Sequence, residues 1–335
     1  MAASVVIVTY QPGPELARCL ESLEGQDGLV ETILVDNGGG GPEIEAARAI
    51  ESVEVIDSRE NLGFAAGCNL GAVEASGDVL VFLNPDTVVA PGAIASLALT
   101  VQEPAVGIAM ARLRLLDEPE KLNSWGVQVH VTGIGWAGGF GEPADSITEV
   151  REVPAPSGTA MAMRAETFRE LGGFAEELFM YLEDLELGWR ARIAGYRVVL
   201  EPSADVFHEY EYGRNPRKSY FLERNRLVFV LSAYSLRQLV LLTPVLVLAD
   251  LGMAAIALKE GWFRDKAAGW AWLLRNGGTV WRRRQHTQGL RRQRDRDLAR
   301  YLTPTFSPAM TPVPALLRVA NPFVRGYWRL VRLAL

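Results

Sequence analysis

The chain has 335 residues, of which 49% are apolar and 22% charged, and its formal net charge at pH 7 is -6. This composition is typical of a globular protein, and the length predicts one large α/β domain with an appendage. The acidic balance argues against a general nucleic-acid-binding protein, so no nucleic-acid partner is expected.

The first third of the chain alternates apolar runs with amphipathic segments. Buried strands are predicted over residues 4–9, 31–36, 53–57, 78–83 and 106–111. Helices are predicted over residues 14–24, 42–51 and 63–75, with a further helix that begins at Pro91. Because only a few residues connect these segments, we expect parallel strands with helices on both faces of the sheet. Such sheets bind ligands at the carboxyl ends of their strands, where this chain has Thr9-Tyr10, Asp36-Asn37 and Asn84-Asp86.

The middle of the chain carries weaker signals. Apolar and polar residues alternate over 125–131, which predicts a hairpin. The glycine- and aromatic-rich segment 133–141 is either a flexible flap near an acceptor or the tip of that hairpin. Helices are predicted over 164–172 and 181–194, and a last strand over 196–200.

Two acidic clusters indicate the chemistry. Asp86 follows a buried strand, where a lone carboxylate can hold a divalent metal ion on a phosphate. Glu183 and Asp184 open an amphipathic helix, and a carboxylate at the mouth of the same cleft can act as a general base. Acids at a helix N-terminus can also merely favour the helix dipole. Together the clusters predict an enzyme that displaces a nucleotide diphosphate from a sugar.

The two cysteines, Cys19 and Cys68, lack the spacing of a metal site or a disulfide framework. We expect both to be buried thiols in a reducing compartment. Residues 1–3 run into the first strand without a basic and apolar leader, so no signal peptide is predicted. The catalytic part is therefore expected in the cytosol.

The composition changes after residue 216, which predicts a catalytic domain over 1–216 and a helical region over 217–335. The segment 239–258 contains one charged residue, Asp250, and one proline. Three interpretations of this segment stay open: a membrane-spanning helix, an interfacial or re-entrant segment, and a buried or dimer-forming helix.

The C-terminal region is also rich in arginine. Nine arginines and only two acids lie within residues 275–300, which indicates anionic lipid, phosphate or an acidic partner. Four arginines share one face of a predicted terminal helix: Arg318, Arg325, Arg329 and Arg332. Such a helix lies either in the plane of a membrane or docked on the core. We expect a peripheral protein on the inner face of the cell membrane, with a homodimer as a further possibility.

Several motifs resemble those of family 2 glycosyltransferases, most closely the bacterial rhamnosyltransferase-like subgroup. The early ones are Val5-Val6-Ile7-Val8-Thr9-Tyr10, Ile33-Leu34-Val35-Asp36-Asn37, Asn61-Leu62-Gly63-Phe64-Ala65 with Asn69, and Phe82-Leu83-Asn84-Pro85-Asp86-Thr87. The later ones are Gly172-Gly173-Phe174, Phe179-Met180-Tyr181-Leu182-Glu183-Asp184, Arg190, Ala194-Gly195-Tyr196, His208 and Arg224-Asn225. The resemblance covers about residues 4–230 and rests on the order and spacing of the motifs. It implies a GT-A fold and inverting transfer from a nucleotide sugar, with TDP-rhamnose as the donor of the subgroup.

The resemblance also assigns the catalytic roles. It makes Asp184 the general base, with Glu183 as the alternative if the helix is rotated. It makes Asp86 the ligand of Mg²⁺ or Mn²⁺, and His208 either a further ligand or a phosphate contact. Asn84 stands where the family often has a second acid, so we expect the metal to be held more weakly.

The same resemblance assigns the binding residues. The nucleotide sugar would contact Thr9, Tyr10, Asp36, Asn61, Gly63, Asn84 and Asp86. Asp36 would accept a hydrogen bond from N3–H of a pyrimidine, which favours a dTDP- or UDP-sugar. Apart from the resemblance, we expect Ser157 and Gly158 to contact the acceptor and Arg224 to pair with a phosphate. The acceptor is expected to be a lipid-linked saccharide of cell-envelope glycan synthesis. Ala175, and the four glycines after Asn37, depart from the family pattern.

Other classes of protein fit less well. The first strand is not followed by a G-x-G-x-x-G turn, and the chain contains no G-x-x-x-x-G-K-[ST] loop. The remaining alternative is a non-catalytic, membrane-associated protein of the same fold that binds a nucleotide sugar or a glycan. Asp86 and Asp184 together favour the enzyme, because a binding protein does not need both.

Overall fold

The computed structural model describes residues 2–209, 215–306 and 314–335. These residues form two compact units. Among the described residues, unit 1 comprises 2–127, 137–191 and 196–209, and unit 2 comprises 128–136, 192–195, 215–306 and 314–335. Residues 128–136 and 192–195 therefore belong to the same unit as the helical C-terminal part, although they precede residue 216.

Unit 1 is built on a ten-stranded mixed sheet. Its strands are β1 (Ala3–Thr9), β2 (Leu29–Asp36), β3 (Val53–Asp57), β4 (Val79–Leu83), β5 (Thr87–Val89), β6 (Val106–Leu115) and β7 (Leu122–Ser124). The smaller strands β8 (Val127–His130) and β9 (Gly135–Ala137) follow in the chain, and the sheet of unit 1 continues with β10 (Arg151–Glu152), β11 (Ala160–Arg164) and β12 (Arg197–His208). The order across the sheet is β10-β12-β6-β11-β4-β1-β2-β3, with β5 on β12 and β7 on β6.

Helices connect these strands and make up most of unit 2. Those of the sheet are α1 (Glu15–Leu23), α2 (Pro42–Arg48), α3 (Gly63–Glu74), α4 (Ala93–Thr100), α5 (Ala165–Leu171) and α6 (Glu183–Ile193). Those of unit 2 are α7 (Lys218–Ala233), α8 (Leu236–Glu260), α9 (Phe263–Arg275), α10 (Gly277–Gly289), α11 (Asp295–Leu298) and α12 (Pro314–Ala334). The last strand, β13 (Leu302–Thr303), forms a three-stranded sheet with β8 and β9, which confirms the predicted hairpin.

The strands β3, β2, β1 and β4 are parallel, as predicted. The expected mostly parallel sheet is confirmed, because β6 and β12 also run in the direction of β4. The strand β11, which was not predicted, lies antiparallel between β4 and β6. This antiparallel strand brings its amino end to the carboxyl end of β4, where the candidate site lies.

The last strand of the large sheet is longer than predicted. A strand was expected over 196–200, but β12 continues to His208 through a register shift between Glu201 and Asp205. Its end pairs antiparallel with β5, so that His208 lies opposite Thr87. The extension therefore carries His208 to the loop that holds Asp86.

Cys19 and Cys68 are buried free thiols, as expected, and neither forms a disulfide bond. The apolar segment 239–258 lies within α8, which has the length and hydropathy to cross a membrane. Only 11% of its most apolar window is buried inside the protein, so most of that helix faces outward.

Candidate active site

Asp86 and His208 meet at the end of β4. The Glu209 N–H donates to the Asp86 carbonyl at 2.9 Å, which fixes the two loops together. Asp86 Oδ1 lies 3.4 Å from His208 Nε2. The structure thus brings together the two residues expected to hold a metal ion.

The His208 ring lies between Asn123 and Asp86. His208 Nδ1 lies 3.1 Å from the side-chain oxygen of Asn123. With that oxygen as acceptor, Nδ1 is the hydrogen-bond donor, and the other ring nitrogen, Nε2, is the one next to Asp86. Asp86 Oδ1 is buried and has no hydrogen-bond partner among the residues that the structure describes. Oδ1 of Asp86 and Nε2 of His208 are therefore two neighbouring atoms of the kinds that ligate a divalent cation.

An oxygen and an imidazole nitrogen suit Mg²⁺ or Mn²⁺, which complete their coordination with phosphate oxygens and water. Within the described parts of the chain, no group of three or more acidic, histidine or cysteine side chains forms a complete metal cluster. Asp86 and His208 are thus the two described side chains that this arrangement offers to a divalent ion.

Asp184 is joined to the Asp86 loop through the start of β11. The Asn84 N–H donates to the Thr159 carbonyl at 2.9 Å. One residue earlier, the Gly158 N–H donates to Asp184 Oδ2 at 2.7 Å. Two backbone hydrogen bonds thus connect the two acidic clusters across the end of the sheet.

Asp184 is half-buried at the start of α6, and both of its carboxyl oxygens accept hydrogen bonds. Its second oxygen, Oδ1, accepts from the Leu185 N–H at 2.7 Å. Burial raises its pKa, and the N–H groups of Gly158 and Leu185 partly oppose that rise. A raised pKa with a fixed orientation suits a group that accepts a proton near neutral pH.

Glu183 points elsewhere. Its side chain is buried, and its Oε2 has no hydrogen-bond partner among the described residues. Burial, and then the charge of Asp184, raise the pKa of Glu183 well above its usual value. Burial and the charge of Glu183 likewise raise the pKa of Cys68 on α3. Glu183 thus faces the interior beneath α3, and Asp184 is the acid that the structure connects to the Asp86 loop.

Strained backbone precedes these acids. Phe179, Tyr181 and Leu182 have φ angles of 65°, 67° and 65°, a region that costs non-glycine residues roughly 1–3 kcal/mol each. The Phe179 carbonyl accepts from the Ala65 N–H at 3.1 Å. A Cβ at Gly63 would lie 2.5 Å from the Phe179 ring, so only glycine fits there. The strained segment therefore fixes the start of α6 against the start of α3.

The glycine turn after β2 is organised by Asp36. Asp36 Oδ1 accepts from the N–H groups of Gly39 at 2.9 Å and Gly40 at 3.1 Å, and its Oδ2 accepts from Gly40 at 3.0 Å. A Cβ at Gly39 would lie 2.3 Å from the Gln11 nitrogen. The turn packs directly on the end of β1, which explains the glycines that the family pattern lacks. The contact of Asp36 with a base stays a prediction.

Asn37 ties the same turn to the Asn61 loop. Its Nδ2 donates to Asn61 Oδ1 at 3.2 Å and to the Gly63 carbonyl at 3.1 Å. Thr9 is buried, and its carbonyl accepts from the Asn37 N–H at 2.8 Å. The structure therefore brings Thr9, Asp36, Asn61 and Gly63 to one end of the sheet.

The remaining three predicted contacts lie in different surroundings: Tyr10, Ser157 and Arg224. Tyr10 follows β1 with half of its surface exposed, which leaves its ring open to stack on a base. Ser157 Oγ lies 3.1 Å from Thr159 Oγ1 at the start of β11. Arg224 is in unit 2, buried with its guanidinium 4.8 Å from the Trp272 ring centroid. Its phosphate contact stays a prediction.

Sequence reasoning did not find Asn123, Thr159 or Leu185, and it named Gly158 for a different role. No local pattern marks them, because each acts through a backbone group or through a contact made only in the folded sheet. A cavity of about 810 Å³ also lies in unit 1, but none of the candidate residues lines it. It lies among α3, α5 and the start of β4, with Asn69, Asp78, Arg164 and Phe168 in its wall.

Solved structures share the fold. The chain matches a structure of GalNAc-T7 with UDP, GalNAc and Mn²⁺ at a TM-score of 0.59 and 20% identity, over 69% of this chain and 48% of that one. It matches the mannosyltransferase PcManGT from Pyrobaculum calidifontis, in complex with GDP-Man and Mn²⁺, at a TM-score of 0.51 and 16% identity, over 99% of this chain and 86% of that one. These likenesses confirm the predicted GT-A fold.

Sequence relatives point the same way. The chain is 31% identical over 243 residues to the N-acetylglucosaminyl-diphospho-decaprenol L-rhamnosyltransferase of Mycobacterium tuberculosis, which covers 63% of this chain and 78% of the relative. It is 30% identical over 239 residues to the O-antigen biosynthesis protein RfbC of Myxococcus xanthus, which covers 65% of this chain but 18% of that protein. The family model described as glycosyl transferase family 2 matches residues 4–172, which include Asp36, Asn84 and Asp86. With half of the chain matched by that model, the chain belongs to glycosyl transferase family 2.

Proposed function

We propose that this glycosyltransferase is an inverting enzyme that moves a sugar from a dTDP- or UDP-sugar to a hydroxyl of a lipid-linked saccharide in cell-envelope glycan synthesis. L-Rhamnose is the sugar that the mycobacterial relative's name favours. The observation that carries the proposal is the hydrogen-bonded connection between the Asp184 carboxylate and the Asp86 loop.

Asp184 takes the proton of the acceptor hydroxyl. As the acceptor oxygen forms its bond to the anomeric carbon, the bond from that carbon to the diphosphate oxygen breaks, and the nucleoside diphosphate leaves with the electron pair. Attack opposite the leaving group inverts the anomeric configuration. The N–H groups of Gly158 and Leu185 orient both carboxylate oxygens, and the raised pKa strengthens Asp184 as a base.

Asp86 and His208 would hold Mg²⁺ or Mn²⁺ beside the diphosphate. Support comes from the buried, unsatisfied Oδ1 of Asp86 and from the His208 nitrogen 3.4 Å away. A bound divalent ion supplies positive charge that neutralises the leaving diphosphate. Asn84, two residues before Asp86, would add an uncharged oxygen instead of a second carboxylate, which is consistent with a weakly held ion.

The nucleoside would lie over the ends of β1 and β2. The ring of Tyr10 is exposed there, and the Asp36 carboxylate keeps acceptor capacity beyond the turn amides that it binds. Asn61 and Gly63 close the same end of the sheet through Asn37. We therefore retain a pyrimidine base as the proposed partner of Asp36.

A lipid-linked acceptor places the enzyme at a membrane. Two relatives carry names that connect them with a decaprenol-linked substrate and with O-antigen synthesis. We propose by analogy that this protein works as a peripheral enzyme on the cytoplasmic face of the cell membrane. Whether it forms a homodimer is tested together with that location below.

The test is acceptor-dependent release of nucleoside diphosphate by the full chain. A panel of dTDP-, UDP- and GDP-sugars would be combined with short-chain N-acetylglucosaminyl-diphospho-prenol and Mg²⁺ or Mn²⁺, and the anomeric configuration of the product read by NMR. We expect turnover with a pyrimidine nucleotide sugar and an inverted product. Donor binding in a thermal-shift assay without turnover for any pair would instead favour the non-catalytic binding protein.

A further inference from the structure

Helix α8 presents an uncharged apolar face to the outside of unit 2. Val240, Val247, Leu251 and Leu258 lie seven, four and seven residues apart, which aligns them along one side of a helix. Each is 50–65% exposed. The exposed residues between Arg237 and Lys259 are all uncharged. An exposed apolar strip of this length on a folded protein indicates a surface that binds a membrane or another protein.

A flank of α8, beside the apolar strip, carries charge at the middle of the helix. Asp250 Oδ1 accepts from Arg226 at 2.7 Å and from Lys266 at 2.8 Å, and its Oδ2 accepts from the Trp270 indole at 3.1 Å. Lys266 also donates to buried Glu223 at 2.5 Å. A helix that crossed a bilayer would carry this network to mid-depth, where insertion costs about 2.5–3.5 kcal/mol for each charged residue. The network therefore favours a helix that lies along a membrane.

Helix α12 packs beside α8 and adds positive charge. The Tyr327 hydroxyl donates to the Leu241 carbonyl at 2.7 Å, and Trp328 and Val331 are buried. The outward residues include four exposed arginines: Arg318, Arg325, Arg329 and Arg332. Exposed Phe323, Leu330 and Leu333 lie on the same helix. Residues 314–335 contain no acidic side chain, so this helix combines apolar and cationic groups as interfacial membrane helices do.

We propose that the outward faces of α8 and α12 form a docking surface for an anionic lipid bilayer, on which α8 lies in the membrane plane without crossing it. This surface is defined by Val240, Val247, Leu251, Leu258, Arg318, Arg325, Arg329 and Arg332. Its charge decides between the candidate occupants. A second copy of the chain would bring the arginines of one copy against those of the other, whereas anionic head groups neutralise them. The proposal shares with the proposed function only the need for a membrane, and it does not depend on catalysis.

The test is flotation of the full chain with phosphatidylcholine vesicles that contain or lack phosphatidylglycerol. We expect binding only with phosphatidylglycerol, and weaker binding at high salt. Leu251→Gln should reduce the binding, and the pair Arg325→Gln and Arg329→Gln should weaken it about tenfold or more. The matched controls are Leu99→Gln on α4, which replaces a leucine with 63% exposure against 60% for Leu251, and Arg48→Gln on α2. Both controls should bind as the wild type does.

Three results would overturn the proposal. Binding that is equal for the wild type and the Leu251 and arginine variants would exclude this surface. Protein that stays with vesicles after an alkaline carbonate wash would indicate a membrane span. A lipid-free dimer that Leu251→Gln converts to a monomer would show that a second copy covers the face. A failure of this proposal and a failure of the proposed function would give different results. Asp184→Asn should still float with anionic vesicles, whereas Leu251→Gln should still transfer the sugar to a water-soluble acceptor.

Discussion

The backbone N–H of Gly158 and the carboxylate of Asp184 are joined by a hydrogen bond of 2.7 Å between residues 26 positions apart. Gly158 belongs to the turn that enters β11, and Asp184 to the first turn of α6. The bond therefore fixes the carboxylate of the proposed base, Asp184, relative to the sheet. It also leaves little room, since a Cβ on Gly158 would lie 3.3 Å from the Asp184 Cβ and 3.4 Å from its Oδ2.

Gly158→Ala should lower kcat more than it changes donor affinity. The added methyl would push the Asp184 side chain by a few tenths of an ångström, and misplacement of a reacting group by 1 Å can cost about 100-fold in rate. We expect a loss of about 10-fold to 100-fold in kcat with an unchanged donor Kd, measured by steady-state kinetics and titration calorimetry. A variant with wild-type kcat would show that this contact does not position the base.

Glu183→Gln should stabilise the fold in a pH-dependent way. Burial and Asp184 raise the pKa of Glu183 in the folded state, so its contribution to stability is fully present below the unfolded pKa of about 4.3. That contribution is lost as the pH rises through the folded pKa. Glutamine carries no such dependence. The Tm of the variant relative to the wild type should therefore rise from acidic to alkaline pH, as measured by calorimetry over that range.

The acidic end of that series is its internal control. Near pH 4 both proteins hold a neutral side chain at this position, so the difference in Tm should be smallest there. A difference that is constant with pH, or that shrinks toward alkaline pH, would contradict the buried position of Glu183.

Removal of metal should abolish turnover and weaken donor binding. Asp86 Oδ1 is buried without a hydrogen bond among the described residues, and the diphosphate brings negative charge to it, so the donor should bind poorly without a cation. We expect Mn²⁺ binding in the presence of UDP to be detectable by electron paramagnetic resonance for the wild type and lost in Asp86→Ala. His208→Ala should weaken it less. Asp205→Ala is an unsuitable control because Asp205 pairs with Arg112 and Arg114, whereas exposed Asp57→Ala should bind Mn²⁺ normally.

Mn²⁺ binding that survives in Asp86→Ala would place the ion elsewhere. Turnover that is unchanged by a chelator would show that protein groups alone neutralise the leaving diphosphate.

Much of the sheet could be predicted because its strands are continuous apolar runs bounded by turn residues. Ile33 to Val35 is fully buried, and the polar residues after it were correctly expected at the carboxyl edge. The antiparallel strand β11 could not be predicted in this way. Its residues Ala160 to Met163 are small and flexible apolar side chains that lead directly into a helix, so neither length nor β-branching separates strand from helix.

The site was predictable by residue type but not by geometry. Asp86 and Asp184 could be selected from their places after a strand and at the start of a helix. The approach of His208 to Asp86 depends on a register shift in β12, which has no sequence signature. Glu183 and Asp184 point in different directions because consecutive helical residues are about 100° apart. The left-handed backbone of Leu182, which a helical pattern does not indicate, precedes the start of that helix.

The most direct test of the catalytic account is the single-turnover transfer rate of Asp184→Asn at saturating donor and acceptor. The amide keeps the size of the side chain and an oxygen for the Gly158 N–H, but it cannot take the acceptor proton. General base catalysis contributes about 10²-fold to 10⁴-fold, so we predict a loss of that size with an unchanged donor Kd. A rate within a few-fold of the wild type would contradict the assignment of Asp184 as the base.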